Sequence, residues 1–293
     1  MSSLVRKVLK KVIPDPWVNL ALALQAKVPV SWARRARNIG LKGKALRHFL
    51  DSPDGASKLE KLNFNGGPKT VSFLKESKCF IVESILEDAY QLERIDWPRD
   101  QNIKIVDIGA NVGTFAIAAR TEFFNATIHC YEVNPFLKDT LSLHAFDAGA
   151  KLFMEGVGLV SGSFSIDNRA NITNESNSVA IVDFNQPGNF SIVPLKEVAK
   201  RLGGSIDLLK MDCEGSEWII LQDLETLKCV KYLTVEYHRI SPDGSFDQYD
   251  LSIDIQKKAI DTICRAGFEI LHVRTHTRDA GILLARNNAL KQK

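Results

Sequence analysis

The chain has 293 residues, 45% of them hydrophobic, 25% charged, and a net charge of +3. That length and apolar content support one large core or a domain with an appendage, and exclude disordered and fibrous classes. The charge is uneven: residues 1–50 hold eleven Lys/Arg and one acid, net +10, whereas residues 51–293 hold 27 basic against 34 acidic residues, net −7.

Five cysteines (Cys79, Cys130, Cys213, Cys229, Cys264) are scattered, with no CxxC pair. This pattern indicates neither a disulfide framework nor a structural zinc site and fits a reducing compartment. No apolar run reaches the length of a membrane span. "WVNLALALQA" has some character of a signal-peptide core, but Asn19 interrupts it and Pro14 and Pro16 precede it, so secretion is not expected.

In chain order, "SSLVRKVLKKVI" reads as a basic amphipathic helix, with Leu4, Val5, Val8, Leu9 and Val12 on one face. Two further helical stretches follow up to residue 50. Residues 1–50 read first as a helical appendage that packs on the domain or mediates dimerisation, and second as a peripheral contact with an anionic membrane surface, which the basic face suits. The expected location is the cytoplasm, peripheral to the membrane on the second reading. Nucleic acid is disfavoured, because the remainder of the chain is acidic and carries no RNA-binding motif. Turn-rich "DSPDG" and "NFNGGPKT" place a soft boundary near residues 51–70, giving an extension over 1–70 and a main domain over 71–293.

Within the main domain, residues 71–96 predict a strand or hairpin and a short helix. A regular alternation begins at residue 102: strand "IKIVDIG", helix "TFAIAARTEFF", strand "TIHCYEV", helix "FLKDTLSLHAFDAG", strand "KLFMEGVGLV". A polar insert over 161–190 is followed by helix "LKEVAKRL", strand 206–211, helix 216–227, strand "KYLTVEY", helix 251–266, and strands "FEILHVRT" and "GILLARN". Strands apolar on both faces and alternating with amphipathic helices predict an α/β fold: a doubly wound, seven-stranded, mostly parallel sheet of Rossmann-like type behind a helical N-terminal extension. The last two strands have no helix between them, so the final one is expected to run antiparallel.

Two constellations carry chemistry. The first is "VDIGANVGTF", where Asp107 ends a strand, Gly109 and Gly113 permit close backbone approach, and Thr114 opens a helix whose N–H groups are free. Asn111 stands where a dinucleotide-binding GxGxxG has its second glycine, and the glycine spacing is one short, which disfavours an NAD-dependent oxidoreductase. Glu132, followed by Asn134, ends the next strand, 25 residues after Asp107, where a carboxylate suits ribose hydroxyls. The second constellation is "IDLLKMDCEGSEWIIL". In the order 3-2-1-4-5 its strand lies beside the first, bringing Asp212 and Glu214 to the topological switch point. Glu236 and His238 end the neighbouring strand.

"VDIGANVGTF", "CYEVNP", "LLKMDCEGSEWIIL" and "YLTVEYH" together resemble the FkbM family of S-adenosylmethionine (SAM)-dependent methyltransferases, marked by a KxDxEGxE segment, over about residues 102–285. The resemblance implies SAM as cofactor, held by Asp107, Gly109, Asn111, Gly113, Thr114, Glu132 and Asn134, with Asp107 near its ammonium. It also implies O-methylation of a sugar, glycan or secondary-metabolite hydroxyl. Alcohols are poor nucleophiles at neutral pH, so a base or a metal is expected. His238, with Asp212 and Glu236, supplies the catalytic candidates, and Glu214 and Glu217 the substrate-binding ones. Asp212, Glu214, Glu236 and His238 are the candidate ligands if Mg²⁺ or Mn²⁺ takes part. Lys210 is expected to be a structural ion-pair partner. The alternatives are the oxidoreductase and a non-catalytic scaffold with a spoiled loop. The acceptor, the methylated atom and the oligomeric state have no readable code.

Overall fold

The computed structural model describes residues 15–38, 43–51, 60–63, 70–73, 78–164, 190–239 and 252–290. The chain divides into two compact units, Met1–Glu87 and Asp88–Lys293. The turn-rich stretch at 51–70 falls inside the first.

In the first unit, helices span Asp15–Ala26, Val30–Asn38 and Lys44–Asp51, and a two-stranded ladder joins Glu60–Asn63 to Thr70–Phe73. Ala23, Ala26, Ala33, Ala36 and Leu46 are buried, so the helices pack through small residues and leave Leu24 exposed. The expected helix over the first twelve residues lies outside the described residues. Among the described residues no helix is long and apolar enough to cross a membrane.

The second unit is built on β1 (Lys104–Ile108), α1 (Thr114–Glu122), β2 (Thr127–Tyr131), α2 (Lys138–Ala148), β3 (Lys151–Phe153), α3 (Leu195–Arg201), β4 (Ile206–Met211), α4 (Glu217–Ile220), α5 (Leu224–Leu227), β5 (Val230–His238), α6 (Ile255–Arg265), β6 (Phe268–Thr275) and β7 (Ala280–Asn287). The sheet order is β6-β7-β5-β4-β1-β2-β3. Strands β3, β2, β1, β4 and β5 run parallel, and β7 is antiparallel to both β5 and β6. This is the expected doubly wound fold, its order reversing between β1 and β4.

The reason lies in the residues. Ile105, Val106, Leu208, Leu209, Leu233 and Val235 are all buried although neighbours point to opposite faces, a pattern stable only when helices cover both sides. Helix 216–227 is expected as one piece but is two, because Asp223 accepts the Thr226 N–H at 3.1 Å and caps a new turn. "KLFMEGVGLV" likewise splits: β3 ends at Phe153, and Gly156–Gly158 joins Gly162–Phe164 and Phe190–Pro194 in a separate three-stranded sheet. Most of the insert between them, residues 165–189, lies outside the described residues. The register of β1 against β4 sets the floor of the cleft, placing Asp107 opposite Lys210 and Ile108 opposite Met211.

Candidate active site

The loop after β1 turns sharply, with positive φ at Gly109 (72°), Asn111 (50°) and Gly113 (84°). Asn tolerates that region better than most side chains, which explains a non-glycine there. The glycines answer to the protein's own packing. A Cβ on Gly109 would stand 1.7 Å from the Asp212 carbonyl oxygen, and one on Gly113 would stand 3.0 Å from both His144 Cβ and Leu141 Cδ1. So Gly109 lets the loop rest on the tip of β4, and Gly113 lets it rest on α2. Thr114 opens α1 and is buried.

Glu132 makes backbone contacts within the cradle. Its Oε2 accepts the Asn111 N–H, and its Oε1 accepts the N–H groups of Val133 and Asn134, all at 2.8 Å. The carboxylate braces the loop against the turn after β2, with about one lone-pair direction left for a ligand hydroxyl. Burial raises its pKa, and the three N–H donors oppose that. Asn134 serves as a helix cap, accepting the Phe136 N–H at 3.0 Å. Within the cradle, the buried Asn111 Oδ1 has no hydrogen-bond partner among the described residues. A buried amide oxygen without a partner suits a ligand donor.

Asp107 departs furthest from the sequence reading. It is fully buried and faces Lys210 Nζ at 3.0 Å, and that ammonium also donates to Gly109 O at 2.7 Å. The buried ammonium beside Asp107 is that of Lys210. Burial disfavours the charge on both groups. For Lys210 it is outweighed by Asp107 and Asp212, which hold the ammonium above its ordinary range; Asp107 itself is raised by burial despite Lys210.

Asp212, Glu214, Glu217 and His238 come together at the tips of β4 and β5. Glu214 (φ 51°) and Gly215 (φ 104°) form a tight left-handed exit that turns Glu214 outward and the following helix inward. Nε2 of His238 lies 3.7 Å from Glu214 Oε2, 3.8 Å from Glu236 Oε1 and 3.9 Å from Asp212 Oδ1. Glu217, expected on the substrate side, is instead wholly buried. Its Oε1 accepts from His238 Nδ1 at 3.1 Å and from the His238 main-chain N–H at 2.9 Å, while Oε2 accepts the Gly215 N–H at 2.8 Å.

This setting changes the expected role of His238. Burial pushes its pKa down, but the Glu217 hydrogen bond and the charges of Glu217, Asp212 and Glu214 prevail and raise it to about 10. The choice of His238 as base assumes an unperturbed imidazole; here the carboxylates around the ring favour its protonated form. Asp212 is the carboxylate best placed to accept a proton.

One residue of the site is missed from sequence. Tyr90 donates its hydroxyl to Asp212 Oδ2 at 2.7 Å, and its buried ring packs edge-on against Phe115 beneath Lys210 Nζ. Nothing in "EDAYQLER" flags it, because the contact is made across 122 positions. Ligand atoms of Asp212, Glu214 and His238 all lie within 4.8 Å of one another, a spacing that could hold a divalent cation only with the His238 ring deprotonated. Glu236 stands outside that trio.

A model described as the methyltransferase FkbM domain matches residues 107–270. Among solved structures, the chain is similar to a fibrillarin pre-rRNA processing protein of Methanococcus jannaschii (11% identity, 66% of this chain and 69% of that one, TM-score 0.41). It is also similar to Aeropyrum pernix fibrillarin, solved with natively bound SAM (15%, 68% and 73%, TM-score 0.41). A third is a SAM-dependent methyltransferase of Aquifex aeolicus (9%, 68% and 90%, TM-score 0.37). No curated protein matches the sequence.

Proposed function

This chain belongs to the FkbM methyltransferase family, and from that premise we propose that it transfers a methyl group from SAM to a hydroxyl oxygen of a carbohydrate or secondary metabolite. The observation that carries the reading is the contact of Gly109 with the Asp212 carbonyl. It sets the cradle of the first constellation directly against the carboxylate and imidazole of the second.

The residues present suit SAM. The buried Asn111 Oδ1 lacks a partner among the described residues, Glu132 keeps room for one further donor, and α1 opens at Thr114 behind the loop. When bound, SAM supplies a methyl carbon made electrophilic by the attached sulfonium. The chain's own task is to hold an acceptor oxygen in line with that carbon and to take its proton. Asp212 is positioned for the proton, with Tyr90 and Lys210 on its far side. Glu214, the most exposed of the cluster, is placed to accept hydrogen bonds from neighbouring acceptor hydroxyls. An acidic rim of this kind favours neutral polyols over phosphorylated or carboxylated acceptors.

Methyl-labelled SAM and a panel of neutral sugars and hydroxylated metabolites test this reading. The expected product is an alkali-stable methyl ether; transfer only to carboxyl or amine acceptors would overturn the O-methyl assignment. Asp212→Asn is expected to lower turnover by about 10²–10⁴-fold, the usual range for loss of a general base. Its SAM affinity, read by calorimetry, should stay near wild type. Unchanged turnover would remove Asp212 from the mechanism.

A further inference from the structure

Side chains alternate in direction along a strand, so the end of β5 serves two faces of the sheet. Glu236 and His238 face the cleft, whereas Tyr237 packs on the opposite side with Ile255 and Ala259 of α6. On that side, between the first turn of α6 and the turn joining β6 to β7, lies a cavity of about 380 Å³, in the size range of small-molecule sites. It shares no lining residue with the cleft.

The walls of the cavity are held by the chain's own hydrogen bonds. Tyr237 passes its hydroxyl over Gly281 of β7, where a Cβ would stand 2.4 Å from Oη, and donates to Gln256 Oε1 at 3.2 Å. Thr275 Oγ1 donates to the same oxygen at 2.6 Å. In the turn between β6 and β7, Thr277 Oγ1 accepts the N–H groups of Asp279 and Ala280, both at 3.1 Å, and Asp279 Oδ1 accepts from Arg239 Nε at 2.6 Å. A lining fixed in this way lowers the ordering cost of binding.

The groups left over define a ligand. Oε1 of Gln256 is taken twice, which fixes the amide and leaves Nε2 donating to no described residue. Tyr237 and Thr275 have given their protons and keep oxygen lone pairs, whereas Thr277 has accepted twice and keeps its proton. Of the charged groups, Arg239 is matched by Asp279, and Arg278 and Asp254 add one of each sign. Ile253, 42% exposed, adds an apolar surface to the lining. Mixed donors and acceptors, offsetting charges and an apolar patch suit a sugar ring, whose hydroxyls both donate and accept and whose C–H face is apolar. We propose that this cavity binds a neutral sugar unit, at a site separate from the methyl-transfer cleft.

Proton–nitrogen NMR on the labelled full chain reads the Gln256 side-chain amide directly. The probes are the methyl glycosides of glucose, galactose and mannose and the disaccharides maltose and cellobiose, with inorganic phosphate as the charged control. At least one sugar should shift the Gln256 amide saturably, and phosphate should not. Gln256→Met and Thr275→Val keep side-chain size and remove hydrogen bonding; each should weaken that sugar by about tenfold, the worth of one hydrogen bond, with a melting temperature near wild type. Saturation transfer to the sugar follows the titration in Gln256→Met, which lacks the reporting amide. Should Gln256→Met not fold, Thr275→Val, altered at an exposed side chain, decides alone. A Gln256 amide that no sugar shifts overturns the proposal, as does one shifted by phosphate with the sugars silent. Sugar affinity unchanged in both folded variants places the binding elsewhere and overturns it too. The titrations contain no SAM, so a negative result removes this site alone and leaves the methyltransferase reading of the cleft as it stands.

Discussion

Asp107→Ala should lower the free energy of unfolding by about 3–5 kcal/mol, the cost of stranding one charge of a buried ion pair. The partner left behind is Lys210, whose ammonium is buried under the Tyr90 and Phe115 rings, with Asp212 3.7 Å away as its remaining carboxylate neighbour. Denaturant melts measure the loss. The double variant Asp107→Ala/Lys210→Met should recover most of it, because removing both charges removes the desolvation cost together with the attraction. If Asp107→Ala melts like wild type and loses only SAM affinity, Asp107 contacts the ligand and the pairing with Lys210 is wrong. The two outcomes lie far apart, since a loss of about 3–5 kcal/mol is a large fraction of an ordinary domain's stability.

Gly109→Ala should be nearly as severe, by another mechanism. A methyl group there meets the Asp212 carbonyl oxygen at 1.7 Å, and that oxygen belongs to backbone anchored by the Asp212 N–H to Ile108 O hydrogen bond at 3.1 Å. Neither side can yield without moving the β1 loop off the tip of β4. Steric overpacking and a left-handed alanine together should cost about 2–5 kcal/mol. The displaced loop should also lose most of its affinity for SAM. Gly204→Ala is the matched control, because Gly204 has a similar φ of 87° but nothing within 4 Å of a Cβ. It should cost only the backbone term, about 1 kcal/mol. Equal losses in the two variants would mean that the loop does not rest on Asp212.

The frame of this site is legible in the sequence because parallel strands announce themselves through apolar runs alternating with amphipathic helices. Once those are ordered 3-2-1-4-5, Asp212 must fall beside Gly109. The partners of individual side chains are less legible. Asp107 and Glu132 both end strands and both look available to a cofactor, but register sets Lys210 opposite Asp107, and the backbone N–H groups of two turns occupy most of Glu132. Glu217 reads as a rim carboxylate because it follows Asp212 and Glu214 at the strand tip that meets the switch point. The left-handed pair Glu214–Gly215 turns Glu217 into the core instead. Tyr90 has no local signature, since its function depends on a neighbour supplied by the fold alone. His238 is recognisable as a candidate, but its charge state follows from the carboxylates gathered around it, which no spacing reveals.

Calorimetric titration of the folded protein with SAM and with S-adenosylhomocysteine, using NAD as the control, tests most directly whether the loop after β1 is a SAM cradle. Saturable binding of both SAM-type ligands and none of NAD is expected, with Gly109→Ala abolishing the response. Absence of binding by either SAM-type ligand, or a preference for NAD, would contradict that assignment.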